Sequence, residues 1–217
     1  MASMQSTKQR RNNTVLLSTA YFAPIQYFSK LVRSEKVVVE RHEHYGKQTY
    51  RNRCTIYSAN GLLDLTVPIA KPNKPKILIT EVEISYDMLW QKQHFKAIEA
   101  AYRRSPFYEY YLDDLMVFFN SRHQYLYALN MQIMQTVCCL MKIPFCVHES
   151  HEYIKPDDEG IIDLRNSIHP KLKQQHTETA YIPSQYTQVF ADRWGFKPNL
   201  SILDLLFNAG PEAKDLL

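Results

Sequence analysis

Apolar residues come in short runs and alternations up to about Ile84, and beyond Asp87 they recur at helical spacing. Thr14–Ser18 is an apolar run rich in β-formers and reads as a central strand. Residues 25–34 place Ile25, Phe28, Leu31 and Val32 on one helical face, and 36–41 reads as a second strand. Strand, helix and strand in that order predict a right-handed β-α-β unit with parallel strands. Alternation over 49–69, interrupted by Ser58, Ala59, Asn60 and Gly61, predicts a hairpin. Two prolines make 71–76 a loop, and 77–84 is expected as a further strand.

Three helices follow, over 89–104, 107–119 and 124–141, and 145–147 is expected as one more strand. In the first helix Trp90, His94, Ile98, Ala101 and Tyr102 share the face opposite Lys92, Lys96 and Glu99. The polar stretch 163–175 reads as a long loop. A short apolar helix over 200–207, capped by Asn199 or Ser201, ends at Asn208, Ala209 and Gly210 before Pro211. The pattern is that of an α/β protein forming one domain over 14–217. A mixed sheet from the N-terminal half packs against a helical segment, a C-terminal helix closes the fold, and residues 1–13 form a disordered tail.

Composition narrows the function without naming it. The net charge is +4, but Lys8, Arg10 and Arg11 lie in the tail, so the body is nearly neutral and lacks the clustered basic face of a nucleic-acid module. No window approaches the ~18 apolar residues of a membrane span. Cys54, Cys138, Cys139 and Cys146 have no C-x-x-C spacing and read as buried thiols of a reducing compartment, which places the protein in the cytoplasm. The phosphate-loop, G-x-G-x-x-G and G-x-S-x-G signatures are absent.

Polar chemistry concentrates in 37–53. If the second strand continues through His44, Glu40, His42 and His44 line one face, because alternate strand residues share a side. Gly46 permits a turn that brings Arg51, Asn52 and Arg53 back to the same end. In a β-α-β unit ligands favour the carboxyl ends of the strands, which adds Tyr21, and His94 is a further ligand or base facing those ends, or else a core-edge histidine. Two site readings stay open. In one, Glu40, His42 and His44 do acid-base work while Arg51 or Arg53 clamps a carboxylate or phosphate and Asn52 holds a sugar or amide. In the other, His42, His44 and Glu40 hold a divalent metal. A solvated strand end without chemistry is the plain alternative. Asp204 lies among apolar residues and needs a partner, with Arg51 or Arg53 the leading candidates and backbone N–H groups the alternative. Arg53 is expected to face the same cavity as His42 or His44.

Several separated blocks resemble the bacterial WbqC-like family. They are Tyr21 through Phe28, Asn52-Arg53, Leu65 through Pro68, Trp90 with His94, Tyr102 with Ser105 through Tyr108, and Asn199 through Asn208 with Gly210-Pro211-Glu212. Many members begin with His-Gln-Pro-Asn-Tyr, where this chain has Leu17-Ser18-Thr19-Ala20-Tyr21. The resemblance implies surface-polysaccharide (O-antigen) biosynthesis and a transferase-like step on a sugar nucleotide or a group attached to it. A noncatalytic binding protein of the same pathway is the alternative. Neither a cofactor nor an oligomeric state follows from the sequence.

Overall fold

The computed structural model describes residues 14–71, 74–156, 158–171 and 181–217, so the tail at 1–13 and part of the 163–175 segment lie outside the described residues. The fold is α/β. Strand β1 (Thr14–Ser18), helix α1 (Ile25–Arg33) and strand β2 (Lys36–Glu40) form the expected unit, with Thr14 opposite Lys36 and Ser18 opposite Glu40 in parallel register. The apolar runs of both strands are buried, as in a sheet covered on its faces.

The strands divide into two sheets rather than one mixed sheet. Strands β3 (Arg53–Ser58) and β4 (Gly61–Thr66) are a separate antiparallel hairpin, with Gly61 at φ +100 closing its turn. The other sheet is wholly parallel, in the order β5-β2-β1-β6, where β5 is Val147–Glu149 and β6 is Ile161–Asp163. The predicted strand at 145–147 therefore starts two residues later. Strand β6 had no counterpart in the sequence reading, because three residues are too short to show a period. Residues 77–84 form no strand. They hold a 3-10 turn, Ile79–Glu81, and bridge single residues of neighbouring segments.

Helices α2 (Trp90–Tyr102), α3 (Tyr108–Asn120) and α4 (Leu126–Leu140) supply most of the apolar cover. After a short helix α5 (Ala191–Trp194), helix α6 (Ile202–Ala209) enters the centre, where Ile202, Leu203, Leu205, Leu206 and Phe207 are fully buried. Ser201 caps α6 by accepting the Leu203 N–H, and its hydroxyl donates to the Phe22 carbonyl at 2.9 Å. The chain leaves α6 through Gly210 at φ +56, where a Cβ would sit 2.5 Å from the Phe107 ring. All four cysteines are free, but only Cys54 and Cys138 are buried; Cys139 and Cys146 are exposed, contrary to the sequence expectation. Among the described residues no helix is long and apolar enough to cross a membrane.

Candidate functional site

The four parallel strands end at one edge, and the segments leaving β2, β5 and β6 meet there around a cleft of about 480 Å³. Its lining comes from His42, Glu43, His44, Gly46, Thr49 and Arg51 after β2, Tyr153 and Pro156 after β5, and Arg165 and Asn166 after β6.

Strand β2 stops at Glu40, so the alternation expected through His44 is broken by a bend at Arg41. Glu40 turns inward and is wholly buried. Its Oε1 accepts from the Ser150 hydroxyl at 2.5 Å and the His42 backbone N–H at 2.8 Å. Its Oε2 accepts from the Ile154 N–H at 2.9 Å and Arg165 Nη1 at 3.3 Å. A carboxylate so occupied ties three loops together and has little capacity left as a base or metal ligand. Among the described residues no group of three His, Cys, Asp or Glu has the geometry to hold a metal, so the trio of His42, His44 and Glu40 does not assemble as a ligand set.

Glu43, between His42 and His44, is the carboxylate that organises the cleft wall. It receives a two-point contact from Arg51, Nε to Oε1 at 2.8 Å and Nη2 to Oε2 at 2.5 Å, with both side chains almost out of water. Arg51 Nη2 also donates to Ser18 Oγ at 2.6 Å, at the end of β1. Asn130 fixes the Arg51 backbone by donating from Nδ2 to its carbonyl at 2.7 Å. With Nε and Nη2 committed, Nη1 remains, 3.7 Å from where a Cβ on Gly46 would stand. Among the described residues no protein acceptor meets it. The second guanidinium, Arg165, grips Asp163 through Nε and Nη2 and lies 5.0 Å above the Tyr153 ring. Burial alone would lower its pKa, but hydrogen bonds and charge from Asp163 outweigh that and raise it.

His42 is half-buried, its Nε2 out of water and without a partner, and His44 is exposed. His169 is buried nearby. Burial, with the cations Lys171, Arg51 and Arg53, lowers its pKa, and its Nδ1 accepts the Lys171 N–H at 3.0 Å.

The other predicted residues lie elsewhere. Arg53 is absent from the cleft lining and pairs with Asp64 across the hairpin at 3.4 Å, because as the first residue of β3 it points to the hairpin's solvent side. Asn52 Nδ2 donates to the Val67 carbonyl at 2.9 Å and closes the hairpin base. Tyr21 and His94 form a core pair. The Thr66 carbonyl accepts the His94 N–H, and Nδ1 stands 3.0 Å from the Tyr21 hydroxyl as its acceptor. Burial lowers the His94 pKa to about 4. Asp204 is fully buried, but its partners are neutral, not Arg51 or Arg53: Tyr186 Oη donates to Oδ2 at 2.7 Å and Gln188 Nε2 at 2.9 Å. Burial raises its pKa to about 6, against the pull of these hydrogen bonds.

No signal in the sequence marked Glu43 as the partner of Arg51, nor Arg165 and Tyr153 as site residues, since these two enter the site from more than a hundred residues away. No solved structure matches the chain significantly. The uncharacterized protein Rv1507c of Mycobacterium tuberculosis is 26% identical to it, over 88% of this chain and 91% of its own length. The profile of the WbqC-like protein family matches residues 19–182, from the turn after β1 past the last loop of the cleft, and with every lining residue of the cleft inside that match, the chain belongs to the WbqC-like protein family.

Proposed function

We propose that this protein is a cytoplasmic enzyme of surface-polysaccharide (O-antigen) biosynthesis that acts on a sugar nucleotide or a group attached to it. In this reading His42 and His44 move protons, and Arg51 holds a phosphate or carboxylate oxygen of the ligand. The observation that carries the reading is the fixed Arg51 guanidinium, which has one nitrogen free of protein acceptors beside Gly46 in a cleft that also presents two imidazoles. Because Glu43 neutralises it, Arg51 contributes aimed donors rather than net charge, which suits recognition of one oxygen geometry over another. Arg53, Asn52, Tyr21, His94 and Asp204 lie outside the cleft lining and have no part in this reading.

A noncatalytic binding protein is the second reading. It draws on the occupied state of Glu40, which leaves the imidazoles without a free carboxylate to orient them. The test is to incubate the protein with a panel of sugar nucleotides, following binding by calorimetry and conversion by mass spectrometry. Turnover of one compound that falls about a hundredfold or more in the His42→Ala, His44→Ala double variant, with affinity retained, supports the enzyme. Binding without turnover, equal in both proteins, supports the binding protein, and no binding by any compound rejects both.

A further inference from the structure

A larger cleft, about 930 Å³, lies on another part of the molecule and shares no residue with the histidine site. One wall is the last turn of α2 and the turn that follows it, and the other is the extended segment leading into α5. The second wall is braced. Gln188 is locked to Lys197, accepting its N–H at 2.9 Å and donating to its carbonyl at 2.9 Å. The Tyr57 hydroxyl lies 3.1 Å from the Phe190 carbonyl and 2.8 Å from that of Gly195. Arg193 Nη1 and Trp194 Nε1 each donate to the Ala59 carbonyl at 3.1 Å. The opening is thus formed before any ligand arrives.

Its chemistry is unspent. Ser105 lines the cleft and is more than nine-tenths buried, yet its Oγ has no hydrogen-bond partner, although its N–H and carbonyl are both used, with Tyr102 and Tyr108. The hydroxyl is sealed from water, so Ser105 belongs to the floor of the cleft rather than to its open surface. Arg103 and Arg104 stand exposed at the rim, and neither side chain has an ion pair or hydrogen bond among the described residues. Glu99 and Asp192, both exposed, are the carboxylates of the same opening, so charge alone selects no ligand there. The selection comes from the kinds of group present: two guanidiniums suit the oxygens of a phosphate, and carboxylates accept from the hydroxyls of a ribose. Pro106, Val189 and Phe190 supply an apolar wall for a flat ring.

From these features we infer that this second cleft binds a nucleoside phosphate, with the phosphates at Arg103 and Arg104, the sugar hydroxyls at Glu99 or Asp192, and the ring against Phe190 and Pro106. The inference does not depend on the histidine cleft.

The experiment is calorimetric titration of the full chain with ADP, UDP, GDP and CDP, alongside the free nucleosides and inorganic phosphate. The Arg103→Ala, Arg104→Ala double variant and the His42→Ala, His44→Ala double variant are titrated in parallel. At least one diphosphate should bind saturably, the arginine variant should weaken it about tenfold or more, and the histidine variant should leave it unchanged. Arg103 and Arg104 are exposed, so that variant should keep the parent's melting temperature and its loss of affinity is not a loss of fold. Three results overturn the inference: no binding of any diphosphate at millimolar concentration, binding by inorganic phosphate as tight as by the nucleotides, or a nucleotide affinity that follows the histidines and ignores the arginines. The last would move the nucleotide to the histidine cleft and make His42 and His44 binding residues there rather than groups that only move protons.

Discussion

The Glu43 carboxylate and the Arg51 guanidinium are both nearly excluded from water, so removing either charge strands the other. Glu43→Gln keeps the shape and breaks the pair, and should lower unfolding stability by about 3 kcal/mol in a urea titration. Arg53→Lys should do little to stability or to sugar-nucleotide affinity, since its partner Asp64 is half exposed. Two other buried groups oppose each other in pH. Asp204 binds a proton in the folded state up to about pH 6 but unfolded only to about 3.8, so its contribution to stability falls as pH rises through that window. His94 holds a proton when folded only below about 4 but unfolded up to about 6.5, so its contribution is complete above 6.5 and is lost as pH falls. Each shift is worth about 3 kcal/mol, and over the shared window they largely cancel. Relative to wild type, Asp204→Asn should therefore lose stability on going from pH 7 to 4, whereas His94→Gln should gain it. Parallel slopes for both variants and wild type, measured by urea unfolding at the two pH values, would remove the compensation.

Among the elements, those with several turns of regular spacing were readable. The helices α1 to α4 and the central strands fall within a few residues of their expected bounds, because each repeats its apolar pattern often enough to state a period. The three-residue edge strands repeat nothing, and β6 ends where the polar stretch 163–175 begins. The site suffered from the same limit. Its residues after β2 were visible as a cluster, but the bend that turns Glu40 inward and presents Glu43 to Arg51 depends on Ser150, Ile154 and Arg165, which only the folded chain brings there. Helix α6 was legible because too many apolar residues crowd one short helix for a single face to bury. A fragment ending at Pro198 should fail to melt cooperatively and should bind hydrophobic dyes. A soluble, cooperative fragment would make α6 an appendage. Gly210→Ala combines a left-handed φ with an overlap against Phe107, and should cost about 3 kcal/mol, read from the shift in the urea midpoint.

In the whole molecule, the last helix is stitched to the first turn. Ile25 donates its N–H to the Leu200 carbonyl at 2.9 Å, Ile202 to the Ala23 carbonyl at 2.9 Å, and Ser201 to the Thr55 carbonyl at 2.8 Å. Protein synthesis delivers these partners at opposite ends of its schedule. At the usual pace of elongation the turn around Phe22 waits on the order of 10 s after leaving the ribosome before residue 200 exists to cover it. For most of that interval the two central strands have neither edge strand, since β5 and β6 are also made late. The nascent chain thus presents an open parallel sheet and an uncovered aromatic turn, the kind of surface to which chaperones bind. Translation speed through the second half of the message then becomes a determinant of yield, and slow codons there should lower recovery of folded protein more than slow codons in the first fifty.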